Sequence, residues 1–255
     1  MMYVLYDNTF EGLLTAVFEV YEQKLLTIQI RKEGTELPSL FDEPLLITYD
    51  ETKTKRVLMK LNALLKEEGV IKLWKAWLTE ETDVEDCILG TIRYAIEQQD
   101  NILSDFGNWY VLQLNQQLKK IAREKHRMEA FVRFQLTKDE LYYAVIEPDF
   151  NVLPLLIHHF QSRYADQRWL IFDKRRNYGI YYNLQTTEFI TFDEWNIQPG
   201  VLNKDLFHEE ETIYQILWRD YFKSATITSR KNNKLHLQHM PKRYWKYLTE
   251  KGSNS

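Results

Sequence analysis

Cysteine and glycine are scarce in this chain, and each scarcity excludes a class of protein. A single cysteine, Cys87, among 255 residues excludes a disulfide framework and any zinc or iron–sulfur site built only from cysteines. The eight glycines are scattered, so the clustered glycines of a Walker loop or a dinucleotide-binding fingerprint are missing. We therefore predict no cofactor for this chain.

Long apolar runs are also missing. The longest aliphatic stretch, residues 152–157, contains a proline and is far shorter than the ~20 residues of a membrane-spanning helix. Residues 1–7 have neither the basic region nor the apolar region of a secretion signal. Together with the lone thiol, these features lead us to expect a cytoplasmic protein with no membrane partner.

Hydrophobic periodicity predicts an α+β fold with a β-α-β-α start. Residues 2–6 are expected to form a strand, residues 10–21 a helix and residues 45–49 a second strand. Asp50 can cap the helix that follows. More helix is predicted over 70–79, 84–99 and 108–129, the last with a buried stripe of Val111, Leu114, Leu118, Ile121 and Met128.

From residue 131 the apolar period changes to two, which predicts an antiparallel sheet with flanking helices. One hairpin pairs residues 131–136 with 141–146, and a second pairs 169–173 with 179–184. The helix expected between them gives a β-β-α-β-β unit. The remaining predicted elements are the helix over 154–164, a strand near 189–192, a helix over 209–222 and a short helix that begins at Pro241.

The formal net charge of −4 hides an asymmetry along the chain. Residues 1–115 contain 11 basic and 20 acidic side chains, whereas residues 116–255 contain 22 basic and 17 acidic ones. We therefore expect an acidic, mainly helical N-terminal region with short strands over 1–115. A basic α+β region with an aromatic-rich C-terminal segment follows over 116–255. Cations that neutralise phosphates and aromatics that stack on bases suit nucleic acid, although a solvated basic tail has the same composition.

A group of cations lies at the end of the long predicted helix. Arg123, His126 and Arg127 fall on one helix face, and Arg133 follows just beyond. These side chains could hold phosphate, and His126 could serve as an acid or a base near neutral pH. A solvated helix face is the alternative.

Two further patterns bear on metal binding. Adjacent helical histidines, such as His158 and His159, point about 100° apart, so they do not form the i, i+4 pair of a helical metal site. We predict no metal site there. Asp149 and Asp173, the latter followed by three cations, resemble the carboxylate pair of a metal-dependent nuclease. A charged hairpin turn is the alternative.

Several blocks together resemble a largely uncharacterised bacterial family associated with DNA metabolism and repair. They are YDNTFEGLLTAVFE (6–19), REKHRMEAFVRF (123–134), YAVIEPDFNVLPLLIHHF (143–160), WLIFDKRR (169–176) and the region 217–250 with SRKN and HMPKRYWKYLTE. The resemblance implies a role on DNA and a radical-SAM protein as partner. Some relatives carry a fused uracil-DNA glycosylase domain, which we expect this chain to lack.

We therefore predict a protein that binds damaged or locally single-stranded DNA and acts with a radical-SAM partner. Tyr244 and Trp245 are expected to stack on a base. The alternatives are a metal-dependent nuclease or base-removing enzyme that uses His126, Asp149 and Asp173, and a scaffold for the radical-SAM protein without DNA binding. The predicted phosphate contacts are Arg123, His126, Arg127, Arg133, Arg163, Arg175, Arg176, Arg230, Lys242 and Arg243.

Overall fold

A computed structural model describes residues 2–36, 44–191 and 240–248. The chain divides into two compact units, Met1–Ile121 and Ala122–Ser255, and the boundary falls inside a long helix. Helices and sheets are both present, which confirms the α+β prediction. The predicted helix over 209–222 lies outside the described residues.

The first unit contains a three-stranded parallel sheet. Its strands are β1 (Met2–Tyr6), β2 (Ile28–Lys32) and β3 (Leu45–Ile47), in the order β2-β1-β3. Helix α1 (Phe10–Glu22) connects β1 to β2, and a helix is the usual crossover between parallel strands. The structure therefore has one strand more than the predicted β-α-β-α start, because the sequence analysis did not predict β2.

Side-chain caps mark the starts of the first two helices. The Oγ1 of Thr9 accepts a hydrogen bond of 2.9 Å from Gly12 N–H at the start of α1. Asp50 accepts one of 2.9 Å from Lys53 N–H at the start of α2 (Glu51–Trp77), as predicted. The α2 helix bends at Lys66, where φ is 61°, and its second part corresponds to the helix predicted over 70–79.

Helix α3 (Val84–Gln98) packs against β2, and the carboxylate of Asp86 accepts a hydrogen bond of 3.1 Å from Ile30 N–H of that strand. The long helix α4 (Trp109–Phe131) follows, with Asn108 accepting from the N–H groups of its first turn. The predicted buried stripe of α4 is confirmed: Val111, Leu114, Ile121 and Met128 are buried and Leu118 is partly buried.

The second unit is built on a five-stranded sheet in the order β4-β5-β6-β7-β8. Its neighbours pair antiparallel except β5 and β6, which pair parallel because a helix joins them. The strands and helices after α4 are β4 (Gln135–Leu136), β5 (Tyr142–Ile146), α5 (Leu153–Arg163), β6 (Trp169–Asp173), β7 (Tyr178–Tyr182), β8 (Thr187–Thr191) and a 3₁₀ helix (Lys242–Tyr247).

Aromatic rings pack between α5 and the sheet. Trp169 is fully buried, and its ring lies 6.1 Å from Phe160 of α5 and 5.4 Å from Tyr182 of β7. Since side chains of a strand alternate between faces, Asp173 at the end of β6 projects to the same face as Trp169. A buried carboxylate thus lies at the rim of an apolar layer. No helix in the described part of the chain has the length and apolarity needed to cross a membrane.

Candidate nucleic-acid interface

Glu124 of α4 is the buried centre of a charged network in the second unit. Its side chain is 1% exposed. Its Oε1 accepts a hydrogen bond of 2.8 Å from Asp149 N–H and another from the hydroxyl of Tyr244. Its Oε2 lies 3.4 Å from Nη1 of Arg127 and 3.5 Å from Nη2 of Arg243. A buried carboxylate is costly without such donors, so Glu124 holds α4, the β5–α5 loop and the 3₁₀ helix together.

Asp149, in the β5–α5 loop, joins this centre to the β6–β7 turn. Its carbonyl oxygen accepts hydrogen bonds from Nη1 of Arg175, at 2.9 Å, and from Nη2 of Arg176, at 3.1 Å. Its carboxylate forms an ion pair with Arg243. Partial burial and the nearby Glu124 charge raise the pKa of Asp149, and the surrounding guanidinium groups oppose that rise.

Asp173 is fully buried and fixes the turn that carries two of these arginines. Its Oδ1 accepts hydrogen bonds from the N–H groups of Arg175, at 2.9 Å, and Arg176, at 3.3 Å. Its Oδ2 pairs with Nη1 of Arg176 at 2.8 Å. Burial raises the pKa of Asp173, whereas the Arg176 guanidinium opposes the rise. Both carboxylate oxygens thus already accept from the protein, and Asp173 acts as a positioning residue for the arginine side chains.

A second carboxylate anchors the 3₁₀ helix. Glu147, just after β5, accepts hydrogen bonds from Nζ of Lys246 and from the hydroxyl of Tyr247. These two donors lower the pKa of Glu147. The C-terminal 3₁₀ helix is therefore held at two points, Glu124 and Glu147. We call these four carboxylate residues and the side chains that contact them the arginine hub. Its members are Glu124, Glu147, Asp149, Asp173, Arg127, Arg175, Arg176, Arg243, Tyr244, Lys246 and Tyr247.

The two aromatic residues predicted to stack on a base lie in different surroundings. Tyr244 is 2% exposed, with its ring 5.9 Å from that of Phe131 and beneath the guanidinium of Arg243 at 4.5 Å. Because that ring is buried, it presents no face to a base in this conformation. Trp245 is partly exposed, and its Nε1–H donates to the carbonyl of Met240 at 3.2 Å. Trp245 is therefore the aromatic residue of this pair with ring surface in reach of solvent.

The predicted cations fall into groups. The structure brings Arg127, Arg175, Arg176 and Arg243 together in the hub. Four others, Arg123, His126, Arg163 and Lys242, are exposed.

Arg133 turns back onto the carbonyls of Ala130, at 2.7 Å, and Val132, at 3.2 Å, so part of its donor capacity is used at the end of α4. The guanidinium of Arg163 lies 5.9 Å from the Tyr164 ring centroid, at the end of α5. Arg230 lies outside the described residues.

Of the predicted catalytic candidates, Asp149 and Asp173 both lie in the hub, where Arg176 contacts each of them, whereas His126 is not a hub residue. The side chain of His126 is 85% exposed, and its Nδ1 lies 3.9 Å from Glu129, whereas Asp149 and Asp173 pair with Arg243 and Arg176. Within residues 2–36, 44–191 and 240–248, no group of three or more His, Cys, Asp or Glu side chains is placed to hold a metal ion.

The sequence predictions missed Glu124 and Glu147, the carboxylates that organise the hub. Glu124 lies between Ile121 and Met128 at helical spacing, so it occupies a position of the buried stripe. A charged residue at such a position indicates a buried, partnered carboxylate, and this was the available signal. Its partner Tyr244 is too distant in sequence to be identified from spacing.

Positive charge exceeds negative charge in the hub and its immediate sequence neighbours. Nine cations, Lys125 among them, accompany the four carboxylates, and six of the nine are exposed. The other eight are Arg123, Arg127, Lys174, Arg175, Arg176, Lys242, Arg243 and Lys246. The arrangement can bind an anion through guanidinium groups whose orientation is already fixed by the protein.

These features define an α+β protein whose second unit presents clustered arginines ordered by buried carboxylates. Residues 82–250, about two thirds of the chain, match the model of a domain of unknown function, DUF4130. The chain belongs to this family. The match begins just before α3 and includes the whole arginine hub. No curated protein and no solved structure matches the chain.

Proposed function

We propose that this protein binds DNA that is damaged or locally single-stranded, and that it does so in the cytoplasm together with a radical-SAM protein. The observation that carries the proposal is the arginine hub. Arg127, Arg175 and Arg243 come from three separate segments and meet around Glu124 and Asp149. Guanidinium groups ordered in this way lose less side-chain entropy when they bind phosphate.

The exposed cations beside the hub are further phosphate contacts in this proposal. Arg123 lies one helical turn before Arg127, Lys174 precedes Arg175, and Lys242 precedes Arg243. All three of these neighbours are exposed, whereas the hub arginines already donate to protein oxygens. The hub therefore fixes the surface, and its neighbours supply charge that phosphates can neutralise.

Trp245 supports a preference for unpaired bases. It is partly exposed and lies between two exposed cations of the 3₁₀ helix, Arg243 and Lys246. An aromatic ring beside cations suits a single strand, because a base can stack on the ring while adjacent phosphates meet the cations. Such stacking is worth about 1–3 kcal/mol per base.

The radical-SAM partner enters through the family resemblance of the blocks quoted above. This chain has one cysteine, Cys87, which is buried, and burial raises its pKa to about 11. A radical-SAM cluster needs three closely spaced cysteine thiolates, so that chemistry would belong to the partner. The acidic residues 1–115 suit contact with a protein rather than with DNA.

The first test measures binding of fluorescent oligonucleotides to the full chain by anisotropy at several salt concentrations. The second test analyses the oligonucleotides for cleavage products after incubation with Mg²⁺ or with EDTA. We expect binding of a bubble duplex or a single strand in preference to intact duplex, weakened steeply by salt, with no cleavage. Mg²⁺-dependent cleavage that is lost in Asp149→Ala would instead support the nuclease hypothesis. If the chain binds no DNA at low salt but co-purifies stably with the radical-SAM protein, this proposal is overturned. That result would support the scaffold hypothesis.

A further inference from the structure

The first unit exposes a group of large apolar side chains where α4 begins. Phe106 is 57% exposed, Trp109 61%, Tyr110 38% and Leu112 40%. We call these four residues the α4 aromatic patch. Single exposed apolar residues are ordinary on protein surfaces, but four within seven residues, tryptophan among them, are typical of an interaction site.

The surroundings of the patch have an unusual charge pattern. Residues 106–118 contain no charged side chain at all. Over the longer range 94–118 there is no Lys or Arg, whereas Glu97, Asp100 and Asp105 are all present and exposed. Depletion of charge at the centre with aromatic enrichment is the composition of a protein–protein interface core. The three acidic residues form a mainly acidic rim, which Lys60 of α2 reaches through a hydrogen bond of 2.9 Å to Gln99.

The patch is also held in a defined conformation. The ring of Tyr110 lies directly over Gly90 of α3, where a Cβ would be 2.6 Å from Tyr110 Cγ and closer still to two other ring carbons. Trp109 packs edge-on against Tyr110, with centroids 5.0 Å apart.

The residues just before α4 are ordered as well. Asp105 accepts a hydrogen bond from Gly107 N–H at 3.1 Å and another from the hydroxyl of Tyr94. Asn108 accepts from the N–H groups of the first turn of α4. The exposed rings therefore need little further ordering when a partner binds, and such preorganisation favours affinity.

We propose that the α4 aromatic patch docks a basic protein segment whose apolar residues cover Trp109 and Leu112 and whose Lys or Arg side chains meet the acidic rim. Cations can also lie over the face of Trp109. DNA does not fit this surface, because phosphates would meet Glu97, Asp100 and Asp105. A second copy of the chain bound patch to patch would bring two acidic rims together, which is unfavourable. The proposal does not depend on DNA binding by the second unit.

The probe is a synthetic amphipathic helical peptide of leucine and lysine, with a counterpart in which every lysine is replaced by glutamate. Binding of each labelled peptide to the full chain is measured by anisotropy. We expect the lysine peptide to bind and Trp109→Ala to weaken its binding about tenfold or more, since tryptophan is a frequent binding hot spot. Met59→Ala is the matched control, because Met59 is 72% exposed on another helix of the same unit. It should leave the affinity unchanged.

A double variant tests the acidic rim without changing packed side chains. Glu97→Gln with Asp100→Asn should weaken the lysine peptide and reduce the salt dependence of its binding. The proposal is overturned if the two peptides bind equally well. It is also overturned if Trp109→Ala binds the lysine peptide as tightly as wild type does, when the two proteins have the same helical content. So does a dimer of the free chain in sedimentation that Trp109→Ala dissolves, because the occupant would then be a second copy. None of these results bears on oligonucleotide binding, so the two proposals fail separately.

Discussion

The hydroxyl of Tyr244 donates a hydrogen bond to the buried carboxylate of Glu124, which lies 120 positions earlier in the chain. This bond fixes the C-terminal 3₁₀ helix to α4 and thereby brings Arg243 to Asp149. Burial and the Glu124 carboxylate both raise the pKa of Tyr244, so its hydroxyl stays protonated and remains a donor throughout the neutral range. The geometry of the arginine hub therefore depends on the buried hydroxyl of Tyr244, which acts through Glu124 and not through contact with DNA.

Replacing this phenol tests the contribution of the bond. Tyr244→Phe should lower the free energy of unfolding by about 1.5–3 kcal/mol, because the mutation removes a hydrogen bond to a buried charged acceptor. Urea denaturation at pH 7 measures the change. Tyr181→Phe, at a partly buried tyrosine of β7, is the control and should change the stability much less. Equal losses in the two variants would show that the Tyr244–Glu124 bond contributes nothing specific.

Glu147 gives the second unit a defined dependence on pH. Lys246 and Tyr247 lower its pKa in the folded state below the usual value of 4.5. A carboxylate with a lowered folded-state pKa stabilises the fold above its unfolded pKa, and the stabilisation is lost as the pH falls through the folded value. Wild type should therefore exceed Glu147→Gln in stability at pH 7, and the difference should shrink as the pH falls below 4.5. Urea titrations of both proteins across pH 3–7 measure this, and a difference that grows on acidification contradicts it.

The cap of α2 can be tested at a single residue. Asp50 accepts the N–H of Lys53, and Asp50→Ala should cost about 1 kcal/mol of stability, since the first turn loses its side-chain acceptor. Thr52→Ala, at an exposed position in the same turn, is the control. Thermal denaturation followed by circular dichroism compares the two. A larger loss in Thr52→Ala than in Asp50→Ala would contradict the assigned cap.

Gly90 and Tyr110 form a pair suited to a double-mutant cycle. Gly90→Ala should destabilise the first unit by about 1–3 kcal/mol, because the new methyl group overlaps the Tyr110 ring. In a Tyr110→Ala background the same change should be neutral or stabilising by up to about 1 kcal/mol, since alanine favours helix over glycine. The free energies of unfolding of the four proteins give the coupling energy. A coupling near zero would show that the ring does not require the glycine.

Local patterns in the sequence predicted most of the described elements. The cap at Asp50, the buried stripe of α4 and the second hairpin rest on residues close together in the sequence. The first hairpin is shorter than predicted, because α4 extends to Phe131 and only Gln135 and Leu136 of the strand expected over 131–136 pair with β5. The short strand Ile28–Lys32 was missed, although the burial of Ile28 and Ile30 gives it a period of two. Its stability comes from parallel pairing with β1 and from the Asp86 carboxylate, which are contacts between residues distant in the sequence.

The candidate site was harder to predict than the fold. The cations were found by composition, but which of them bind protein oxygens depends on Glu124, Asp149 and Asp173. Likewise, spacing alone could not show that Tyr244 is buried while its neighbour Trp245 is partly exposed, because a six-residue 3₁₀ helix carries too little periodicity. Long-range pairs between charged and phenolic side chains therefore decide which predicted contacts remain accessible.

The salt dependence of oligonucleotide binding tests the central claim most directly. The variant combining Arg123→Ala, Lys174→Ala and Lys242→Ala removes three exposed cations beside the hub without removing a hub residue. For a single strand, each lost phosphate contact lowers the slope of log Kd against log salt by about 0.7. The account predicts a slope smaller by about 2, with wild-type binding retained by a charge-matched control carrying Lys55→Ala, Arg56→Ala and Lys60→Ala on α2. Equal slopes and affinities for wild type and both variants would contradict the proposed interface.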